Sequence, residues 1–358
     1  MMQHLTASQL FSGLPTIPLT DDLQEKPILL LTHNDLDGAV PEIILHYLTD
    51  NVWTKHCTNA VMDEEIMKAA LKHIDEYSFI IVTDISCSEE TARLIDASAA
   101  RNKILLLDHH ISAEYLNKFS WACVYSYMPS GSTFGTNYYT PETLPNARIS
   151  ASGLLYLYLI HKGFLNPKTC HTLSSLVELT SCYDTWDWYD LLHKLPASEA
   201  LNDLFYAYGS KEFKTNMLQR CIANANIFSK FDTRFLALQN RNIADTVERI
   251  SKSYIVGNIT IENDNYSLVL CFSDQYPGRL LVDMRERYPD RDLYLLRTSN
   301  GISLRATKPE INVAVIAAKF GGGGHPQASG ISIDCHHNIA FLEQYMNAAI
   351  NIEIAEHN

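Results

Sequence analysis

The chain has 358 residues, of which 46% are hydrophobic and 19% are charged, and its formal net charge at pH 7 is -13. These values are typical of a folded protein with about two domains and argue against intrinsic disorder. The negative charge argues against a protein that coats long nucleic acid, since such proteins usually carry a basic surface. A small anionic substrate held by a few local cations or by metal ions stays compatible with this charge.

The cysteines are scattered along the chain, with no C-x-x-C pair and no regular spacing. We interpret them as reduced thiols, which predicts a cytoplasmic protein. The N-terminus has no basic segment followed by an apolar core, and no apolar run approaches the roughly 18 residues that a membrane-spanning helix needs. We therefore expect neither secretion nor insertion into a membrane.

After a peripheral N-terminal segment, three apolar runs each end in polar residues and are followed by helical or turn patterns. They are "PILLLTHNDLDGAV", "SFIIVTDIS" and "KILLLDHHIS". Strands that alternate with helices predict a parallel sheet with right-handed crossovers and helices on both faces. Ligands of such sheets bind at the carboxyl ends of the strands. Residues 32–37, Asp84 and residues 108–110 fall at these ends.

The second half of the chain changes character twice. Residues 126–150 are rich in Gly, Ser, Thr, Asn, Tyr and Pro, and we interpret them as a long surface loop. Helical patterns follow, and strand-like runs such as "YSLVLCFS", "RDLYLLRTS" and "GISLRAT" begin after Tyr254. We predict an α/β fold class with an N-terminal parallel-sheet domain, a helical connector and a smaller C-terminal α/β domain, at residues 26–190, 191–250 and 251–358.

Acidic and imidazole side chains accumulate at the predicted strand ends, namely His33, Asp35, Asp37, Asp84, Asp108, His109 and His110. Carboxylates crowded at one sheet edge repel each other unless cations neutralise them, and this ligand set suits Mn²⁺, Zn²⁺ or related ions. Two such ions can share a hydroxide and hold both the attacking and the leaving oxygen of a phosphoryl transfer. Asp84, alone at its strand end, suits the carboxylate that bridges the two ions.

Each of these motifs has an ordinary structural explanation when it is taken alone. "HNDLDG" is also typical of a solvated turn, "TDIS" of a helix N-cap, and "DHH" of a polar strand end. Three such clusters at successive strand ends favour a metal site over these separate explanations.

The segment "KFGGGGHPQASG" follows the apolar helical pattern "INVAVIAAKF". We expect it to lie outside helices and strands, because consecutive glycines carry a large backbone-entropy cost. Glycine runs let backbone N–H groups approach an anion closely, and His325 and Arg305 are side chains that can bind phosphate. A flexible loop, and a surface strand position for Arg305, are the alternatives.

Together these residues resemble the DHH phosphoesterase family, and within it the members with the DHH-associated C-terminal domain, such as NrnA-type oligoribonucleases and RecJ-type exonucleases. "DHH" at residues 108–110 resembles the name-giving motif, "HNDLDG" the first motif, Asp84 the second and Asp184 in "CYDTWDW" the fourth. "SLRAT" and "FGGGGHPQASG" resemble the substrate-binding motifs. The similarity covers about residues 27–190 and 254–350.

The resemblance implies an N-terminal DHH domain with two divalent metal ions, Mn²⁺ in first place, with Mg²⁺ or Co²⁺ as alternatives. The metal ligands that it implies are His33, Asp35, Asp37, Asp84, His109 and Asp184. The catalytic residues that it implies are Asp84, Asp108 as a brace, and His110 as a contact of the scissile phosphate. The substrate-binding residues that it implies are Ser303, Arg305, Gly322, Gly323, Gly324 and His325. His33 departs from the NrnA-type pattern, because it lies two rather than four residues before the first aspartate.

The resemblance further implies a metal-dependent phosphodiesterase that hydrolyses short oligonucleotides or dinucleotides through a hydroxide held by both metals. The alternative enzymes are a small-nucleotide phosphatase of the 3'-phosphoadenosine 5'-phosphate type, a cyclic dinucleotide phosphodiesterase and a RecJ-like single-strand exonuclease. A nucleotide sensor is the alternative outside enzymes. The expected partner is a short nucleic acid or nucleotide, and formation of a homodimer is left open.

Overall fold

The structure is a computed structural model that describes residues 5–19, 26–58, 61–136, 138–140, 142–192, 194–261 and 264–333. The chain divides into two compact units, unit 1 at Met1–Leu236 and unit 2 at Ala237–Asn358. The α/β fold class predicted from the sequence is confirmed. The boundaries of the three predicted segments stay a prediction. None of the helices in the described ranges is long and apolar enough to span a membrane.

Unit 1 is built on a five-stranded sheet in the order β2-β1-β3-β4-β5, in which all neighbouring strands are parallel. The strands are β1 (Ile28–Thr32), β2 (Val52–His56), β3 (Phe79–Thr83), β4 (Ile104–Asp108) and β5 (Ala122–Val124). β1, β3 and β4 are buried at every residue, which explains their unbroken apolar sequences. The strands β2 and β5 were not predicted from the sequence, since β2 is an edge strand with only its first residue buried and β5 is very short.

Helices cover both faces of this sheet, as predicted. The helices of this part of the chain are α1 (Ala7–Phe11), α2 (Leu36–Leu48), α3 (Met62–Met67), α4 (Glu89–Asp96), α5 (Ala151–His161), α6 (His171–Asp184), α7 (Asp187–Asp190), α8 (Pro196–Tyr208) and α9 (Ser210–Ile222). The next helix, α10 (Lys230–Ser251), begins in unit 1 and ends in unit 2. A π-helical turn lies at Lys68–Lys72, and 3₁₀ segments lie at Ile74–Glu76, Ala99–Asn102, Ile111–Lys118 and Leu144–Asn146. α2, α5 and α6 pack together, with α5 against β3 and β4. α3 and α4 share a separate core with alternate residues of β1, β3 and β4, which places them on the other face.

The stretch at 126–150 is anchored rather than being the surface loop that its composition suggested. Met128, Phe134 and Tyr139 are buried in it. The ring of Phe134 lies 6.2 Å from that of Tyr156 in α5, measured between centroids. Its aromatic side chains therefore fill space beside the helices, although its Gly, Ser and Pro content is typical of an exposed loop.

Unit 2 contains a six-stranded mixed sheet in the order β10-β11-β9-β8-β7-β6. Its strands are β6 (Ile255–Ile261), β7 (Asp264–Phe272), β8 (Leu293–Arg297), β9 (Gly301–Arg305), β10 (Gly323–His325) and β11 (Ala328–Ser332), and its further helices are α11 (Pro277–Arg287) and α12 (Val313–Ala318). β7 and β8 are parallel, and the other neighbours are antiparallel. α11 packs on β8, whereas α12 shares a core with residues such as Leu268 and Leu304.

The expectation that the glycine run lies outside helices and strands is wrong, because Gly323–His325 form β10 and pair with β11. The glycines permit an unusually close approach of the two backbones. A Cβ atom on Gly322 would lie only 2.2 Å from the Gly330 carbonyl oxygen, and Gly324 has a φ of +138°. The entropy cost of the run is therefore offset by a strand pairing that bulkier residues would prevent.

The buried Glu178 of α6 is expected to make the stability of the folded protein depend on pH. Burial raises its pKa to about 7, and a hydrogen bond from the Tyr139 N–H at 3.1 Å only partly opposes this. The folded state therefore holds a proton that the unfolded chain releases above about 4.5, so stability falls by roughly 3 kcal/mol as pH rises from about 4.5 to 7. Glu178→Gln keeps the acceptor but cannot ionise, and it is expected to remove this fall. Urea unfolding of both proteins at pH 5 and pH 8 tests it, and an equal pH dependence in both would contradict it.

Candidate metal centre

The structure brings together all the acidic and imidazole residues predicted for the sheet edge of unit 1, and Asp184 joins them from the end of α6. Their possible ligand atoms lie within 4.8 Å of one another in three overlapping groups: His33, Asp35 and Asp84; Asp84, Asp108, His109 and His110; and Asp37, His109 and Asp184. The cause is topological, since β1, β3 and β4 are neighbouring parallel strands whose carboxyl ends meet at one edge. The roles of the individual residues stay predictions.

The loop after β1 fixes two of these side chains through its own turn. Asp35 is the N-cap of α2, where its Oδ1 accepts a hydrogen bond from the Gly38 N–H at 2.9 Å. Its Oδ2 lies 2.7 Å from His33 Nδ1. Gly38 is required here, because a Cβ atom would lie 2.1 Å from the His33 carbonyl oxygen. The turn thus orients the imidazole and the carboxylate towards the same edge.

Asp37 is a residue of α2, but its carboxylate lies at the N-terminus of α5, a helix that begins more than a hundred residues later. Its carboxylate accepts hydrogen bonds from Ser150 Oγ at 2.6 Å, Ala151 N at 2.9 Å and Ser152 N at 3.2 Å. Burial raises the pKa of Asp37 to about 6, even though the bonds from the two serines favour its ionised form. The N-terminus of a helix favours an anion, so Asp37 is held in one orientation at the edge of the site.

Asp84 is the central carboxylate of the site and has an unusual backbone. Its φ is 63°, in the left-handed region, which aspartate and asparagine tolerate better than other non-glycine residues. Oδ1 lies 3.3 Å from His109 Nε2, and Oδ2 lies 3.8 Å from His33 Nδ1. Burial raises the pKa of Asp84 well above its usual range, and the charges of Asp35 and the other nearby carboxylates raise it further.

The three residues of "DHH" have different environments. Asp108 is held by protein donors, since its Oδ1 accepts from the His109 N–H at 2.7 Å and from His110 Nδ1 at 2.7 Å, and Ser86 Oγ donates to its Oδ2. Burial, and then the charge of His110, lowers the pKa of His109 to about 3. Burial would also lower the pKa of His110, but the nearby carboxylates, Asp108 first, raise it to about 9. His109 is therefore a neutral imidazole suited to a metal, and His110 is a cation.

A second aspartate near Asp184 was missed by the sequence analysis. His109 Nε2 lies 3.1 Å from Asp184 Oδ2. Asp187, three residues further on and buried, accepts hydrogen bonds from Tyr139 OH at 2.9 Å and from the backbone N and the Nε of Arg148, each at 2.7 Å. Asp187 therefore ties the turn after Asp184 to the segment just before α5. No local pattern distinguishes the two acids in "YDTWDW", because the partners of Asp187 are 48 and 39 residues away in sequence.

His56, at the end of β2, also supports the site and was not predicted. Its Nδ1 lies 2.7 Å from the His33 carbonyl oxygen, so Nδ1 carries the hydrogen and donates it. Its Nε2 lies 3.2 Å from Glu42 Oε2, and Lys214 Nζ contacts the same oxygen at 2.7 Å. These residues hold the backbone of the loop that carries His33.

The residues predicted to bind substrate lie on the second sheet, in unit 2. Register places Ser303, Gly330 and Gly323 in one row across β9, β11 and β10, and Arg305, Ala328 and His325 in the next row. Residues in one row share a face of the sheet, and Leu304 faces the core with α12, so both rows lie on the opposite face. Ala328 therefore lies between Arg305 and His325 in one row, and Gly330 lies between Ser303 and Gly323 in the other. Gly322 precedes β10, and Gly324 is paired with Ser329 on the other face.

The donor set in unit 1 fits divalent cations. Carboxylate oxygens suit Mn²⁺, Mg²⁺, Co²⁺ and Zn²⁺. Neutral imidazole nitrogens suit Mn²⁺, Co²⁺ and Zn²⁺ better than Mg²⁺, which prefers oxygen ligands. Oδ2 of Asp84 is buried and accepts no hydrogen bond from the described residues, which is costly for a carboxylate unless a cation contacts it. Two of the three ligand groups share Asp84 and two share His109, which is the arrangement that adjacent cation sites require.

Two curated proteins and one solved structure illustrate which known proteins this chain is similar to. No family model matches the chain. The chain is 29% identical over 311 residues to the oligoribonuclease NrnB of Bacillus subtilis (strain 168), a match that covers 85% of this chain and 72% of that protein. It is 24% identical over 366 residues to a 3',5'-cyclic-nucleotide phosphodiesterase of Helicobacter pylori (strain ATCC 700392 / 26695), covering 91% and 97%. Among solved structures it is similar to RecJ in complex with Mg²⁺ from Thermus thermophilus, with 14% identity, a TM-score of 0.46 and coverage of 98% and 53%.

The parallel sheet gathers carboxylates and imidazoles at its carboxyl edge, a ligand set that suits divalent cations. The two relatives named above are an oligoribonuclease and a cyclic-nucleotide phosphodiesterase. The resemblance that the sequence motifs predicted is confirmed. The chain resembles the DHH family of phosphoesterases.

Proposed function

We propose that this protein hydrolyses phosphodiester bonds in short oligonucleotides or dinucleotides with the help of two divalent cations, Mn²⁺ in first place. The observation that carries the proposal is the meeting of buried carboxylates with the neutral imidazole of His109 at one sheet edge. The two curated relatives, an oligoribonuclease and a cyclic-nucleotide phosphodiesterase, support a phosphodiester of nucleotides as the substrate.

Two divalent cations held by these ligands would supply an acidified water and positive charge for an in-line attack on phosphorus. The side chains of unit 1 would do the rest. Asp108 keeps His110 protonated near neutral pH, so that its imidazolium donates a hydrogen bond to an oxygen of the reacting phosphate. The N-terminus of α5 fixes the Asp37 carboxylate, and Asp187 fixes the segment before that helix. Both carboxylates keep the site in one arrangement during turnover.

In unit 2, the sheet face between Arg305 and His325 would bind a nucleotide phosphate. Arginine suits bidentate contacts with phosphate oxygens. Ala328, which lies between them, has a small side chain, and Gly330 in the adjacent row has none, so a phosphate has room to approach the sheet. Ser303, in the adjacent row, adds a hydroxyl donor on the same face.

A turnover panel with Mn²⁺ tests the proposal. It compares dinucleotides to pentanucleotides with strands of tens of nucleotides, cyclic dinucleotides, 3'-phosphoadenosine 5'-phosphate and pyrophosphate. We expect the highest kcat/KM on the shortest linear substrates, because a chain of net charge -13 offers little compensation for extra phosphates. Processive digestion of long strands with a steep salt dependence would instead indicate a RecJ-like exonuclease. Tight nucleotide binding without turnover would indicate a sensor.

Replacing Arg305 or His325 by alanine is expected to lower kcat/KM on a dinucleotide by about tenfold to a hundredfold, since each removes a charged or polar contact with phosphate. Metal content, measured by elemental analysis, should not change. Hydrolysis of bis(p-nitrophenyl) phosphate, which has no further nucleotide to bind, should change much less.

Arg297→Ala is the matched control for these variants. Arg297 has the same charge and lies in the same sheet, but it pairs with Ile302 and so faces away from Ser303 and Arg305. We expect it to leave both activities unchanged. An equal loss on both substrates in His325→Ala would show that His325 acts on the reacting phosphate itself.

A further inference from the structure

Tyr206, near the end of α8, is an exposed aromatic residue of unit 1 for which the proposed chemistry has no use. Its side chain is 66% exposed. An exposed tyrosine is common on protein surfaces and requires no explanation by itself. Its significance lies in its place on α8, which packs on α6, the helix that ends at Asp184.

The fold places Tyr206 beside the end of α6. Asn202, one helical turn earlier, donates a hydrogen bond of 2.9 Å from Nδ2 to Tyr183 OH, and Tyr183 directly precedes Asp184. Residues four apart lie on the same face of a helix. The side of α8 that carries Tyr206 is therefore the side turned towards the turn that contributes Asp184, and α6 and α8 pack against each other.

The ring of Tyr206 is supported from behind by buried aromatic residues. Its centroid lies 5.3 Å from that of Phe205 at an interplanar angle of 74°, and Phe205 packs in turn on Phe213 at 5.3 Å and 87°. Phe205 and Phe213 are buried. Such edge-to-face contacts favour a fixed ring orientation. A held aromatic ring that presents its surface to solvent can receive a flat ligand without first having to be ordered.

We propose that Tyr206 is a stacking residue for a nucleobase of the substrate next to the scissile phosphate. The proposal rests on the function proposed above and deepens it, because it assigns a base-binding position within the unit that holds the metal centre. Every nucleobase has a π-face, so stacking contributes binding without selecting one base. Stacking that does not select one base suits an enzyme that degrades short oligonucleotides of mixed sequence.

The test uses the full chain with Mn²⁺, a dinucleotide, and the same backbone without bases. Tyr206→Ala is expected to lower kcat/KM on the dinucleotide by roughly fivefold to a hundredfold, mainly through KM, since stacking is present before the transition state. Tyr206→Phe keeps the ring and should remain within about twofold of the unchanged protein. On the abasic substrate, Tyr206→Ala and the unchanged protein should be equal.

Trp53→Ala is the matched control, because Trp53 is also an exposed aromatic residue of unit 1, at 58%. It is the second residue of β2 and lies towards the amino end of that strand, whereas the metal centre is at the carboxyl edge. We expect no change on either substrate. The proposal is overturned if Tyr206→Ala matches the unchanged protein on the dinucleotide, if it loses equally on the abasic substrate, or if Tyr206→Phe loses as much as Tyr206→Ala. Failure of the unchanged protein to cleave either substrate would instead overturn the proposed function.

Discussion

Replacing Asp84 by asparagine is expected to lower kcat/KM by at least about a thousandfold while the fold survives. Asp84 is the carboxylate that is shared by two of the three groups of possible ligands, so we expect it to contact both cation positions. An amide cannot supply the negative charge that bridges two cations, and hydrolysis depends on both of them. Asparagine still tolerates the φ of 63° at this position, so the backbone should not change.

The stability of the same variant should change in opposite directions with and without metal. Burial and the neighbouring carboxylates raise the pKa of Asp84 well above its ordinary value, so ionised Asp84 destabilises the metal-free protein at neutral pH. Asparagine removes that cost, and the metal-free variant should melt at a higher temperature. Added Mn²⁺ should stabilise the unchanged protein strongly and the variant weakly, because a ligand stabilises in proportion to its binding. Thermal melts with Mn²⁺ and with chelator measure both effects.

Two controls separate the ligand role from the backbone role. Asp84→Ala removes the same carboxylate but places a residue without a polar side chain in the left-handed region, so it should melt below Asp84→Asn. Asp75→Asn removes an exposed acid of the same unit and should change neither activity nor metal content. Full turnover by Asp84→Asn, or turnover of the unchanged protein in excess chelator, would refute the metal-dependent mechanism.

Burial decides which elements could be predicted from the sequence. β1, β3 and β4 lie inside the sheet with helices on both faces, so every residue is apolar and the runs are evident. β2 lies at the edge, and its sequence "VWTKH" alternates without forming an apolar run. β6 is half-exposed along its whole length and was not predicted either. Whether such a segment forms a strand depends on pairing with a neighbouring strand that is distant in the sequence, so the segment's own residues do not indicate it.

The candidate site was predictable where one rule applied, namely that the ends of neighbouring parallel strands meet. This rule places His33, Asp84 and His109 together without knowledge of any partner. Asp184 lies at the end of a helix, to which the rule does not apply, and it was found through the order of the family's motifs. Asp187 and Arg148 depend on hydrogen bonds between residues about 40 positions apart, for which no spacing rule exists.

The glycine run shows how two physical effects compete. Conformational entropy alone predicts a loop, because glycine loses more freedom on folding than any other residue. The close approach of β10 to β11 reverses that prediction, since only glycine at position 322 avoids a clash with the Gly330 carbonyl oxygen. The entropy cost is a property of the segment, whereas the gain depends on a partner strand that the sequence does not reveal.

The neighbouring histidines 109 and 110 are expected to respond differently to the same substitution. His109 has its pKa lowered to about 3, so it is neutral and able to coordinate a cation, and His109→Gln should lose metal. His110 has its pKa raised to about 9 and donates to Asp108, so His110→Gln should keep its metal. His110→Gln should nevertheless lose about a hundredfold to ten-thousandfold in kcat, the range typical of a positioned proton donor.

Metal content by elemental analysis, kcat on a dinucleotide and the melting temperature together decide between these roles. A melting temperature of His110→Gln close to that of the unchanged protein would show that the loss of kcat does not come from unfolding. If His110→Gln loses metal to the same extent as His109→Gln, then His110 is a ligand and its contact with the reacting phosphate is refuted. If His109→Gln keeps its metal, the ligand group of Asp37, His109 and Asp184 is refuted, because this group requires the His109 nitrogen. The proposed roles, a neutral His109 and a cationic His110, require that His109→Gln loses metal and that His110→Gln loses only kcat.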